Sequence, residues 1–76
     1  MIDNYLLEEL TVFADNGTLA KTAAQLMVTQ PTVTRGMQKL EEELDVQLFD
    51  RQPNKITLTK TGQLAAQKAR QLLNAN

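Results

Sequence analysis

The side chains available for chemistry in this 76-residue sequence are hydroxyls, amides, carboxylates and cations, because it contains no Cys and no His. The commonest general base and metal ligand is therefore missing, along with any thiol nucleophile, thiolate site or disulfide. No pair of carboxylates stands at catalytic spacing beside an evident cleft, and Glu41-Glu42-Glu43 with Asp45 fits a solvated face better than a metal cradle. Neither an enzyme nor a cofactor is indicated. The densest polar run is Thr29-Gln30-Pro31-Thr32, continued by Thr34, Arg35 and Gln38. Arg35 suits an ordinary solvated helix face and Gln30 a first-turn filler, and both also suit recognition. A Gln amide offers donor and acceptor together, as adenine requires, and an Arg guanidinium forks onto a guanine edge or clamps a phosphate. Pro31 adds an apolar surface for a thymine methyl. Thr29 is foremost a helix cap, with a phosphate contact as an addition. Lys21 and Lys55 suit phosphate or water, while Arg51 divides evenly between an external phosphate and an ion pair with Asp50 or a Glu of the third predicted helix.

Those residues need helices to hold them, and periodicity and punctuation predict four helices and one hairpin. The first helix spans about Tyr5 to Asp15, capped by Asp3 or Asn4 and ended by Asn16-Gly17, with Leu6, Leu10, Phe13 and Ala14 as one apolar stripe. The second spans about Leu19 to Met27 behind Thr18, with Leu19, Ala23 and Leu26 inward and Ala20 and Ala24 small enough for a close neighbour. A turn, Met27-Val28-Thr29, leads into a third helix. Pro31 is tolerated there because a first-turn N–H has no partner anyway. Val28 and Val33 are spaced as a hydrophobic staple. Val33, Met37, Leu40 and Leu44 form the inward stripe, so Pro31, Arg35, Gln38 and Glu42 point outward, with Thr34 and Lys39 on the flanks. The outer face starts polar and basic and ends acidic, which suits a helix that meets a polyanion with its N-terminal end. Val46, Leu48 and Phe49, then Ile56 and Leu58, flank a Gln52-Pro53-Asn54-Lys55 turn as a two-stranded hairpin. Thr59 caps a last helix from about Lys60 to Leu73, expected to be still running at Asn76.

Charge as a single number opposes nucleic acid: eight bases against nine acids leave −1, whereas such domains tend to be basic. Its distribution does not. Bases and acids alternate in blocks, with Lys21, Arg35 and Lys39 alone in 19–40 and five bases without an acid in 51–76. A chain this short makes one small domain with a stability of about 4–11 kcal/mol. It has no apolar run near the roughly 20 residues of a membrane span. Its start, Met1-Ile2-Asp3, shows no secretion signal. A cytoplasmic binding module is expected.

Helix, short helix, three-residue turn, longer helix, hairpin and final helix make a mostly α, winged helix-turn-helix plan. Ala23-Ala24-x-Leu26, Gln30-Pro31, Leu40-Glu41-x-x-Leu44, Leu48-Phe49-x-Arg51 and Leu58-Thr59-x-x-Gly62 run in one register. The series resembles the N-terminal DNA-binding domain of LysR-type transcriptional regulators over about residues 6–73. The resemblance implies that residues 1–60 are a winged helix-turn-helix built on a three-helix core with a two-stranded wing. Residues 61–76 would begin a linker helix that pairs with a second subunit. It implies sequence-specific binding of double-stranded DNA on an imperfect palindrome, with a recognition helix of about 30–44 in the major groove. Carried over by position, Thr29, Gln30, Pro31, Thr32, Thr34 and Arg35 reach bases and phosphates. Two departures stand out. Asp45 occupies a position usually held by Gly, and Asn54 one that often carries a wing Arg, leaving Lys55 as a weaker substitute.

Leu64, Ala65, Ala69, Leu72 and Leu73 make a wider stripe on the last helix than a small core needs, which predicts a homodimer or higher homo-oligomer. The competing class is a winged-helix domain that docks on protein through an acidic surface; net charge favours it, and the Gln30–Arg35 segment favours DNA.

Overall fold

The computed structural model describes residues 3–74. Its elements are α1 (Asn4–Asn16), α2 (Leu19–Leu26), α3 (Gln30–Leu44), β1 (Phe49–Gln52), β2 (Lys55–Leu58) and α4 (Lys60–Leu73). This is the expected winged helix-turn-helix, mostly helical with one small sheet. The caps are the predicted ones. The side chains of Asp3, Thr18, Thr29 and Thr59 accept from the backbone N–H of Tyr5, Lys21, Thr32 and Gly62, and each satisfies a donor the first turn leaves free. Gly17 ends α1 at φ 79, a left-handed position that costs glycine little. Residues 1, 2, 75 and 76, which include the ends of both the expected signal-free start and the expected running helix, lie outside the described residues. Within them α4 stops at Leu73, with Asn74 as its C-cap donating to the Arg70 carbonyl.

Helix α1 departs most from expectation. A stripe of Leu6, Leu10, Phe13 and Ala14 assumes one packing partner, but α1 packs against α2, α3 and α4. Leu7, Glu9, Thr11 and Val12 are therefore buried as well, and Ala14 is exposed. The core joins Leu6, Leu10 and Phe13 of α1 to Ala23, Val33, Met37, Leu40, Leu48, Phe49, Ala66 and Ala69. Phe13 and Phe49 meet edge to face at 5.5 Å between ring centres, the arrangement ring quadrupoles favour.

Three further corrections follow from packing. Ala20 and Ala24 are exposed, and α2 instead buries Thr22 and Ala23, with the Thr22 hydroxyl donating to the Thr18 carbonyl at 2.7 Å. Leu44, the last residue of α3, leaves the stripe for the surface, and Val46 is exposed beyond it. On α4, Ala66 and Ala69 face the core and Ala65 and Leu73 are half-buried against it. Ala69 is 1% exposed and so unavailable to a partner, whereas Leu64 and Leu72 are 60% and 63% exposed.

The hairpin pairs Phe49 with Leu58 and Gln52 with Lys55 around Pro53-Asn54. Its base is tied down by Thr59, whose N–H donates to the Leu48 carbonyl at 3.0 Å and whose hydroxyl donates to the Gln47 carbonyl at 2.8 Å. Gly62 lets α4 start there, because a Cβ at that position would run into the Leu48 carbonyl.

Candidate nucleic-acid interface

The turn before α3 sets how its exposed face is presented. Met27 ends α2 in the left-handed conformation, φ 59, and the Val28 N–H returns to the Ala23 carbonyl at 3.0 Å. Thr29 then caps α3; its hydroxyl also lies 2.9 Å from that of Thr32. The two threonines are thus engaged with each other and with the helix start. Val33, Met37 and Leu40 lock the opposite face into the core, so rotation of α3 is fixed. Gln30, Pro31, Arg35 and Gln38 are left exposed, with Thr32 and Thr34 half-buried at the edge.

The wing approaches the same end of α3. Gln30 and Lys55 line one groove of about 380 Å³ together with Gln52, Pro53 and Asn54 of the wing and Thr18, Leu19 and Ala20 at the start of α2. Lys21 is exposed in the first turn of α2 beside that groove. The structure thereby brings the α2 start, the α3 start and the wing tip to one side. No ion pair engages Lys21, Arg35 or Lys55 among the described residues.

Arg51 does not join them freely. Its guanidinium sits 3.3 Å from Glu41 Oε1, and Glu41 Oε2 accepts the N–H groups of Leu48 at 2.8 Å and Phe49 at 3.1 Å. Glu41 is therefore a clamp between α3 and the strand, not part of a solvated acidic face. The ion pair of Arg51 with a Glu of the third helix is one of its two expected roles, whereas the two backbone donors, seven and eight residues on and outside helical spacing, are not foreseen by sequence. Asp45 adopts φ 55 at the end of α3, the left-handed geometry expected of a residue standing in for Gly.

Glu9, which by sequence suits an early helical turn beside Glu8, is instead buried. It is 1% exposed, and neither carboxyl oxygen has a hydrogen-bond partner. Burial pushes its carboxyl from 4.5 up to about 7; the Tyr5 hydroxyl one turn earlier opposes this from outside hydrogen-bonding geometry, and Asp3 adds to it. The carboxyl occupies the space that a Cβ on Gly36 of α3 would fill. A glycine inside an otherwise well-formed helix was the available signal, since it costs about 1 kcal/mol relative to Ala.

Residues 6–63 match the family model described as bacterial regulatory helix-turn-helix protein, lysR family. The uncharacterized HTH-type transcriptional regulator YbhD of Escherichia coli is 39% identical over 67 residues, 88% of this chain and 21% of that protein. The HTH-type regulator ClcR of Pseudomonas putida is 38% identical over 61 residues, 80% of this chain and 21% of its own. This chain thus spans about a fifth of the length of those curated relatives. Among solved structures, the DNA-binding domain of CbnR in complex with DNA superposes with a TM-score of 0.90 at 36% identity, covering 96% of this chain and 84% of that one. The DNA-binding domain of BenM on a benA site superposes with a TM-score of 0.88 at 30% identity, covering 96% and 82%.

Proposed function

Because the chain belongs to the LysR family of bacterial regulatory helix-turn-helix proteins, we propose that it is the sequence-reading DNA-binding domain of a transcriptional regulator, with the exposed face of α3 in the major groove. The observation that carries the assignment of residues is the split of α3: Val33, Met37 and Leu40 are sealed in the core while Gln30, Pro31, Arg35 and Gln38 stand free on the opposite side. Gln30 and Arg35 read base edges, Pro31 meets a thymine methyl, and Thr29, Thr32 and Thr34 line the rim of the contact. Lys21 and Lys55 meet phosphates on either side, with the hairpin as the wing. The likeness to domains solved on DNA favours this over a protein-docking winged helix.

Residues 1–60 form the reading unit in this proposal and 61–76 open a linker helix. Leu64 and Leu72, the exposed remnant of the α4 stripe, bury themselves against a second copy. Two recognition helices then meet half-sites about 34–36 Å apart on an imperfect palindrome. Work on DNA places the protein in the bacterial cytoplasm; among the described residues no helix is long and apolar enough to cross a membrane.

The test is selection of bound duplexes from a random pool, followed by affinity measurements of variants. Gln30→Ala and Arg35→Ala each weaken the selected duplex by about 1–3 kcal/mol and relax preference at particular base pairs. Gln30→Ala leaves binding to random duplex nearly intact, since it removes no charge. Equal losses on selected and random DNA overturn the base-reading role.

A further inference from the structure

The notch at Gly36 places a buried acid directly against the helix that the proposed function puts in the major groove. Glu9 of α1 is sealed from water, both its oxygens are without partners, and the only reason its carboxyl fits is the missing side chain on α3. Gly36 is the seventh residue of α3. The helix N–H groups free to donate are the first four, so those around Gly36 are committed within the helix. An ionised carboxylate held there would keep its charge in a low-dielectric contact with no donor, which disfavours the charged form. A neutral one is tolerated, though still short of a hydrogen bond.

We propose that Glu9 and Gly36 form a proton-operated latch between α1 and α3, closed while the carboxyl is neutral and lies in the notch, and released when it ionises and swings to water, so that operator affinity falls as pH rises. The latch rests on the operator-reading role of α3 given above. Release cannot leave α3 in place. Gly36 lies between Arg35, on the reading face, and Met37, which anchors the opposite face in the core. Any parting of α1 and α3 at this point therefore moves Arg35.

The charged surroundings agree with that direction. On α1 and its cap, Asp3 and Glu8 are acids, and Tyr5 is the nearest hydroxyl; its own ionisation is pushed up by burial and by Glu9. On α3 the cations are Arg35 and Lys39, on α2 Lys21, and on α4 Lys60, Lys68 and Arg70. None is within ion-pair distance of Glu9, and Arg70 is engaged by Asp15 at 2.6 Å. Burial places the titration near 7, and the chain has no His to titrate beside it.

The experiment measures binding of the 76-residue chain to a duplex selected from a random pool at pH 6, by fluorescence anisotropy at pH 6, 7 and 8 and constant ionic strength. If only the latched form binds, its share falls from about nine-tenths at pH 6 to about one-tenth at pH 8, and affinity falls about tenfold. Glu9→Gln holds the pH 6 affinity across the range. Gly36→Ala, which expels the carboxyl, is weak and flat. Should Glu9→Gln not fold, NMR on the wild type replaces it: the Gly36 amide must shift with the same midpoint as the Glu9 carboxyl carbon. Wild-type affinity that is equal at pH 6 and pH 8, a Glu9→Gln protein with the wild-type slope, or a Gly36 amide indifferent to pH overturns the latch alone. A pool that yields no enriched duplex at any pH overturns the operator-reading function, and the latch with it.

Discussion

Glu9 makes the stability of this domain run against the usual dependence on pH. Its carboxyl has an ordinary value of 4.5 and is raised to about 7 in the fold, chiefly by burial. The folded state therefore holds a proton that the unfolded chain has released over that window. Where the native state binds more protons, stability falls as pH rises. The contribution is fully present below pH 4.5 and lost progressively up to about pH 7, after which the curve levels. A rise of this size corresponds to about 3 kcal/mol at most, less whatever is recovered when water reaches the ionised group. Against a total of about 4–11 kcal/mol for 76 residues, that is a large share. Urea titrations followed by circular dichroism at pH 5, 6, 7 and 8 should show the midpoint dropping with pH while the slope of each transition stays constant. Glu9→Gln keeps the volume and removes the titration, so its midpoint should be flat and should overtake the wild type above pH 6. A wild-type midpoint that is level or climbs between pH 5 and pH 7 refutes the reasoning, because a sealed carboxyl without donors has no other way to behave.

Met27 is 89% exposed with φ 59, so Met27→Gly gives up little packing and relieves a left-handed strain; thermal unfolding should show about 0.5–1 kcal/mol of stabilisation. Lys55→Ala should reduce the log–log salt slope of DNA binding by about 0.9, one phosphate contact. Arg51→Ala should leave that slope unchanged, because Glu41 already holds the guanidinium. Leu72→Glu should abolish concentration-dependent association in sedimentation without loss of helical circular dichroism, since Leu72 lies outside the core; an unfolded variant would place that face in the fold instead.

What the sequence made legible was whatever local chemistry decides. Thr18, Thr29 and Thr59 stand at helix starts because a hydroxyl there satisfies an orphan N–H, and that holds whatever the helix packs against. Pro53-Asn54 marks the wing for the same kind of reason. The reading face of α3 followed once its inward stripe was recognised. What stayed hidden depends on partners distant in the chain. Glu9 looks like an acid in an early helical turn, and only Gly36, on another helix, gives it a place inside. Glu41 looks like one of three surface acids until the chain returns at Leu48 and Phe49. Periodicity assumes a helix has one buried side. That assumption served α3 and failed for α1, which has three neighbours, and on α4 it did not single out Ala66, which faces the core.

The same long-range contacts explain how a chain of net charge −1 presents a basic end. Of its nine acids, Asp3 caps α1, Glu9 is buried, Asp15 holds Arg70, Glu41 holds Arg51 and two backbone donors, and Asp45 closes α3, while Glu8 is exposed on α1 and Asp50 on the wing strand β1. Glu42 and Glu43 remain on the surface, but about 18 Å along α3 from Gln30. That exceeds the roughly 10 Å over which charges act at 0.1 M salt. Lys55 and the positive end of the α3 dipole lie where the wing and the helix start meet, with Lys21 in the first turn of α2 and Arg35 further along α3. Apart from Glu8 on α1 and Asp50 on the wing, the acids are thus spent on scaffolding or kept beyond the range of the contact. In the proposed complex few cations meet phosphates, so sequence-independent attraction is weak and the base contacts proposed for Gln30 and Arg35 supply an unusually large part of the affinity.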